Sequence, residues 1–215
     1  MKTLTMVEGL NQAMHKAMAE DDKVFMLGLD ISTGSMGVSL GLQPAFGANR
    51  VIDCPAAESG YVGACIGGFH GDNAFTFPVG QIGEEAKKLL DVTQKSLYLG
   101  IEAAQAGHRV GDIGAAVQAL VEQNGFAVVR QYVGHGVGHN LHEDPEIPNF
   151  GRAGHGVRLV PGMTIAIEPM VNQAGEGVRV LDNDWTVVTR SGSLSAHFEH
   201  TIAITEQGPV ILTTP

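Results

Sequence analysis

Two stretches of this chain read as buried strands that each carry a carboxylate. They are Met163-Thr164-Ile165-Ala166-Ile167-Glu168-Pro169-Met170 and Ser195-Ala196-His197-Phe198-Glu199-His200-Thr201, the second running on to Thr205. An unpaired charge inside apolar surroundings is expensive. A fold built on these strands must therefore give Glu168 and Glu199 a common counter-charge or turn both to solvent. A third stretch supplies a partner: His135, His139 and His142 are interleaved with Gly134, Gly136 and Gly138 just after an apolar run at 126–133. Imidazole is the commonest neutral nitrogen ligand for zinc-like metals, and glycine lets backbone come close to whatever the ring touches. Asp72 adds a third carboxylate near the end of the alternating segment 69–80. One divalent cation would resolve the cost for all of them. A single imidazole with three carboxylates suits manganese, iron, cobalt or zinc better than calcium.

The chain has 215 residues, enough for one large domain or two small ones around a sizeable core. A formal net charge of −10 with no Lys/Arg run disfavours nucleic-acid and anionic-membrane partners. Cys54 and Cys65 are the only cysteines and make neither a disulfide framework nor a zinc clip, as suits a reducing compartment. The apolar stretch at 60–69 is far shorter than the ~20 residues of a membrane span, and the first residues lack the basic-then-apolar signal pattern. A soluble cytoplasmic protein is expected.

Residues 1–68 alternate helix and strand. Thr5-Met6-Val7-Glu8 has the form of a capping box, followed by Val7, Leu10, Met14, Ala17 and Met18 at helical spacing. Residues 24–27 read as a strand, 37–46 as a short helix and 50–53 as a second strand, which predicts an α/β unit with parallel strands. The residues Glu8-Gly9-Leu10-Asn11-Gln12-Ala13-Met14, Val24-Phe25-Met26-Leu27-Gly28, Arg50-Val51-Ile52-Asp53 and Glu58-Ser59-Gly60-Tyr61-Val62-Gly63 resemble the start of the β subunit of thiamine-diphosphate-dependent 2-oxo acid dehydrogenases. The resemblance implies a partial pyrimidine-binding domain in which Glu58 would face the cofactor's aminopyrimidine ring. It stops near Gly68, short of the half that would bind diphosphate, so no cofactor-binding residue is assigned from it.

Residues 69–215 change character. Segment 69–80 alternates as a half-buried strand should. Glu84 and Glu85 open a helix with Ala86, Leu89, Leu90, Leu97, Ile101 and Ala104 on one face, closed by Gly107. Asp112 is read as the cap of a second helix, with Ile113, Val117, Leu120 and Val121 inward and Gly125 as its stop. The run at 126–133 reads as a buried strand, and further strands are expected at 163–171, 177–181, 185–189 and 197–205. Two helices followed by antiparallel strands argue for an α+β layer.

His70-Gly71-Asp72, Gly134-His135-Gly136-Val137-Gly138, His142-Glu143-Asp144-Pro145, Pro161-Gly162-Met163, Ile167-Glu168-Pro169-Met170, Trp185-Thr186-Val187 and the seven residues from Ser195 to Thr201 together resemble a type I methionine aminopeptidase over residues 69–215. The resemblance implies an α+β pita-bread fold whose dinuclear metal centre hydrolyses the bond after an initiator methionine, on a peptide or a nascent-chain N-terminus. By motif, Asp72 and Glu199 would bridge two metals, and His135 and Glu168 would bind the first. Glu168 would also act as general base, His142 would hydrogen-bond the scissile amide, and Trp185 would line the methionine pocket.

The chain departs from that family at one ligand. The family has another aspartate eleven residues before the Asp72 position, where this chain has Tyr61. A phenol with pKa near ~10 is a poor replacement for a carboxylate. One metal site keeps all its ligands while the second keeps only Asp72 and Glu199, so reduced or lost activity is expected. The family's N-terminal half is replaced by residues 1–68, which makes the chain read as chimeric. Either residues 1–68 cover the face so exposed or the chain forms a homo-oligomer. The alternatives are a non-catalytic metal- or peptide-binding module on the same scaffold and, less favoured, a partial thiamine-diphosphate enzyme subunit.

Overall fold

The computed structural model describes residues 5–28, 31–34, 37–53, 68–78, 80–182 and 186–213. Glu58, Tyr61 and Trp185 lie outside them. The chain divides into two compact units, Met1–Ala64 and Cys65–Pro215.

In the first unit, helix α1 (Met6–Glu20) begins at Thr5 with the expected capping box. The Glu8 N–H donates to the Thr5 hydroxyl at 3.2 Å, and the Glu8 carboxylate accepts from the Thr5 N–H at 2.7 Å. Strand β1 (Met26–Gly28) pairs with β2 (Val51–Asp53) in parallel, as the alternation predicts. The helix between them, α2, is shorter than expected and spans Leu42–Phe46. Met18, Leu42 and Val51 form a small buried cluster. The Arg50 guanidinium donates to the carbonyls of Met18, Asp21 and Val24 at 2.7 to 2.8 Å, tying the end of α1 to the start of β2.

In the second unit, two helices, α3 (Glu84–Ala103) and α4 (Val110–Gln123), pack against each other and against a curled antiparallel sheet. Leu89, Leu97 and Ile101 of α3 and Ile113, Val117 and Val121 of α4 are buried against Ile165, Ile167, Val171, Ile202 and Ile204 of the strands. The strands are β3 (Asn73–Ala74), β4 (Ala127–Val128), β5 (Gly134–Gly136), β6 (Glu143–Ile147), β7 (Thr164–Ile167), β8 (Met170–Asn172), β9 (Val178–Val180), β10 (Val187–Thr189), β11 (Ser195–His197), β12 (Glu199–Thr205) and β13 (Gly208–Ile211). One sheet runs β13-β12-β7-β5-β6, with β3 beside β12; a second runs β11-β8-β4; β9 and β10 pair as a hairpin. This is the α+β pita-bread arrangement. Among the described residues no helix is long and apolar enough to cross a membrane.

Four expectations need correction. The run 163–171 is two strands, because Pro169 has no N–H to give a ladder: β7 stays in the large sheet and β8 enters the small one. The run 197–205 divides in the same way at Phe198, whose N–H turns aside to the Pro169 carbonyl at 3.4 Å. Segment 126–133 is strand only at Ala127–Val128; the Val129 N–H still reaches the Met170 carbonyl at 2.9 Å, and Arg130 beyond it pairs with Glu176 at 2.7 Å. Segment 69–80 is strand only at Asn73–Ala74; beyond it the Thr76 hydroxyl, not a backbone ladder, holds the chain.

Asp112 does cap α4, as the third helical residue of a capping box. Arg109 occupies the cap position, and Asp112 accepts from the N–H groups of Arg109 and Gly154, each at 2.7 Å. Those two bonds hold its carboxyl below the usual range. Asp112→Ala is expected to lower stability by about 1–2 kcal/mol at neutral pH, measured by chemical denaturation. A depressed acid pKa stabilises the fold above the unfolded pKa, so the difference should vanish as pH falls through the folded value. A difference that persists undiminished in acid would show that the carboxylate bonds are not its source.

Candidate metal centre

His135 sits at the middle of β5 and is buried. Its Nδ1 lies 2.9 Å from the carbonyl of Gly136. A carbonyl only accepts, so Nδ1 carries the proton and the lone pair of Nε2 points the other way. That nitrogen faces Glu168 Oε1 at 3.6 Å and Asp72 Oδ2 at 3.9 Å. Ligand atoms of His135, Glu168 and Glu199 lie within 4.8 Å of one another, and so do those of Asp72, His135 and His142. The four residues read from the sequence as ligands thus fall in two overlapping groups that share His135.

Each of the three carboxylates is delivered by a different strand end. Glu168 follows β7 at the point where the chain leaves the large sheet for the small one, and Glu199 starts β12 where the chain returns. Asp72 precedes β3. Its backbone is clamped by Thr201, whose hydroxyl accepts from the Asp72 N–H at 2.7 Å and donates to the Asp72 carbonyl at 2.8 Å.

The electrostatics favour a cation here. Burial, with Glu168 and Asp72 adding like charge, pushes the Glu199 carboxyl up to about 9. Asp72 is raised too, chiefly by burial and partly opposed by His135. Glu199 Oε1 is closed to solvent and has no hydrogen-bond partner among the described residues, an omission that costs stability unless something else satisfies it. Three carboxylates, one imidazole and an orphaned carboxylate oxygen fit a divalent metal of the manganese, iron, cobalt or zinc group.

His142 is exposed, and its ring meets that of His135 edge to face with centroids 4.2 Å apart. It therefore stands at the rim of the cluster, open to solvent. A cavity of about 830 Å³ reaches the cluster at Glu168 and His197 and is walled by Val129, Tyr132, Met170, Leu181 and Val187. His197 is the residue that sequence reading passed over. Its Nε2 lies 3.5 Å from Glu168 Oε2. The signal was present: His197 is two residues before Glu199, and in extended chain such residues share a side.

Fold and cluster together define a metallopeptidase. Residues 60–206 match the model of metallopeptidase family M24, and the chain belongs to that family. It is 56% identical over 162 residues to a methionine aminopeptidase of Clostridium perfringens, covering 75% of this chain and 62% of that protein. Against methionine aminopeptidase 1 of Bacillus subtilis it is 51% identical over 182 residues, 84% of this chain and 73% of the relative. The crystal structure of methionine aminopeptidase from Thermotoga maritima superposes with a TM-score of 0.72 at 38% identity, covering 100% of this chain and 98% of that one. Residues 2–81 also match the pyrimidine-binding domain of transketolase.

Proposed function

We propose that this chain is a metal-dependent aminopeptidase that removes N-terminal methionine from peptides or nascent proteins in the cytoplasm, at a rate reduced by Tyr61. The observation that carries the reading is the convergence of Asp72, His135, Glu168 and Glu199 beside an apolar cavity. The shared description of the relatives supports it. Asp72, His135, Glu168 and Glu199 would hold a first metal, and of these Asp72 and Glu199 would also serve a second. The chemistry a bound divalent metal supplies is Lewis-acid activation of water and of the peptide carbonyl. Glu168 takes the proton of the attacking water and returns it to the leaving amine. His142 donates a hydrogen bond to the scissile amide and offsets charge that develops there. Trp185 would wall the methionine side chain.

Tyr61 stands where the family has an aspartate, which leaves the second metal two carboxylates. Titration of the metal-free protein with manganese is expected to show one firm site and a second that is much weaker. Two equally tight sites would refute the ligand count. Residues 1–68, which we read as a partial pyrimidine-binding segment fused to the metallopeptidase half, are supported in that role by the transketolase-domain match. Methionine release from a Met-Ala peptide, abolished by chelator and raised by Tyr61→Asp, tests the catalytic reading. Loss of even an outer-shell partner of a metal site commonly costs about 10–100-fold in affinity or activity, so the rise should be large. Firm metal binding without any release would select the competing reading, a non-catalytic metal- or peptide-binding module.

A further inference from the structure

We propose that His197 is a positioning residue for Glu168: its Nε2–H holds Oε2 and thereby presents Oε1 alone to the metal. The inference rests on the metal-centre reading above and adds to it a residue outside the ligand set.

Glu168 lies between two imidazoles. Oε1 faces His135 Nε2 at 3.6 Å and Oε2 faces His197 Nε2 at 3.5 Å. The two contacts differ in kind. His135 Nε2 is the lone-pair nitrogen, whereas His197 Nε2 is closed to solvent and has no hydrogen-bond partner among the described residues. A buried ring nitrogen without a partner is costly, and the far oxygen of Glu168 lies 3.5 Å from it. A small rotation of either side chain closes 3.5 Å to a hydrogen bond.

The backbone of His197 is unusually well pinned for the end of a short strand. It pairs with Met170 across β8. The Thr76 hydroxyl accepts from its N–H at 2.9 Å and donates to its carbonyl at 2.7 Å. The ring is therefore held on the same side of the chain as Glu199, two residues on, and reaches Glu168 from the cavity side. Carboxylate ligands need such outer partners to fix their orientation, and loss of one commonly weakens metal binding by about 10–100-fold.

Glutamine and asparagine separate this role from a packing role. The glutamine amide nitrogen reaches as far as Nε2 of histidine, while the asparagine amide reaches only as far as Nδ1. Cobalt(II) is the probe, since its visible absorption reports ligand geometry independently of peptide cleavage. His197→Gln should bind cobalt(II) nearly as tightly as wild type with the same spectrum. His197→Asn should bind it about 10–100-fold more weakly with a changed spectrum. Asparagine binding as tight as wild type, or His197→Gln as weak as His197→Asn, overturns the proposal. Failure of the wild type itself to bind cobalt(II) overturns the metal-centre reading instead, and this inference with it.

Discussion

Glu199→Gln should abolish metal-dependent stabilisation and methionine release while making the metal-free protein melt higher than metal-free wild type. The opposite signs share a cause. In the metal-free fold Glu199 is buried beside Glu168 and Asp72, which lifts its carboxyl from 4.5 to about 9. At neutral pH the folded protein then holds a proton that the unfolded chain has released. An acid with a raised folded pKa loses stability as pH rises between those two values, and a neutral amide removes that loss. A gain of several degrees is expected, largest toward the alkaline end. With metal present the balance inverts, because the amide is a poorer ligand than the charged oxygen it replaces. Outer-shell partners alone are worth about 10–100-fold, so loss of a ligand should cost at least about 100-fold in affinity. Thermal melts with and without manganese, across pH, read both effects at once. A metal-free Glu199→Gln that melts below metal-free wild type would mean that the cluster is not a repulsive, cation-seeking one.

The second large effect is expected at a position that touches no metal. A Cβ on Gly136 would meet the carbonyl oxygen of Asp144 well inside contact distance and that of Glu143 at 2.9 Å. Both are backbone atoms of β6, and β5 is fixed on its other side by β7. Neither neighbour is the free end of a flexible side chain, so the clash must be met by separating strands. Gly136→Ala is expected to cost at least about 3 kcal/mol, the upper end of overpacking penalties. It should also loosen metal binding, since the Gly136 carbonyl orients the His135 ring. A variant that unfolds with the wild type in denaturant would show that β5 and β6 are not held at that spacing.

The candidate ligands were legible in sequence because a carboxylate inside an apolar run is conspicuous whatever the fold. Glu168 and Glu199 stand out for that reason, and His135 for its glycines. The α3 and α4 faces were legible too: Leu89, Leu97, Ile101, Ile113, Val117 and Val121 recur at helical spacing and are all buried. Strand ends were not. Whether 163–171 is one strand or two depends on which sheet each half joins, and only tertiary pairing decides that. Asp112 is legible as a cap because aspartate commonly is one; its second bond was not, since it depends on Gly154, far along the chain. His197 was hidden by being read as part of a motif and not as a side chain with a direction. Tyr61 and Trp185 fall outside the described residues, and their roles rest on motif position.

The double passage between sheets, outward at Glu168-Pro169 and back at Phe198, has a consequence for how this chain tolerates change. Neighbouring residues in pleated backbone point to opposite faces. One residue inserted just before either glutamate would therefore swing its carboxylate outward and take one of the three carboxylates from the cluster, even with every side chain conserved. Apolar replacements flanking those glutamates leave their direction intact. Length, more than composition, is what these two crossings guard, whereas the exposed stretch 151–158 can lengthen without displacing any of the four converging side chains.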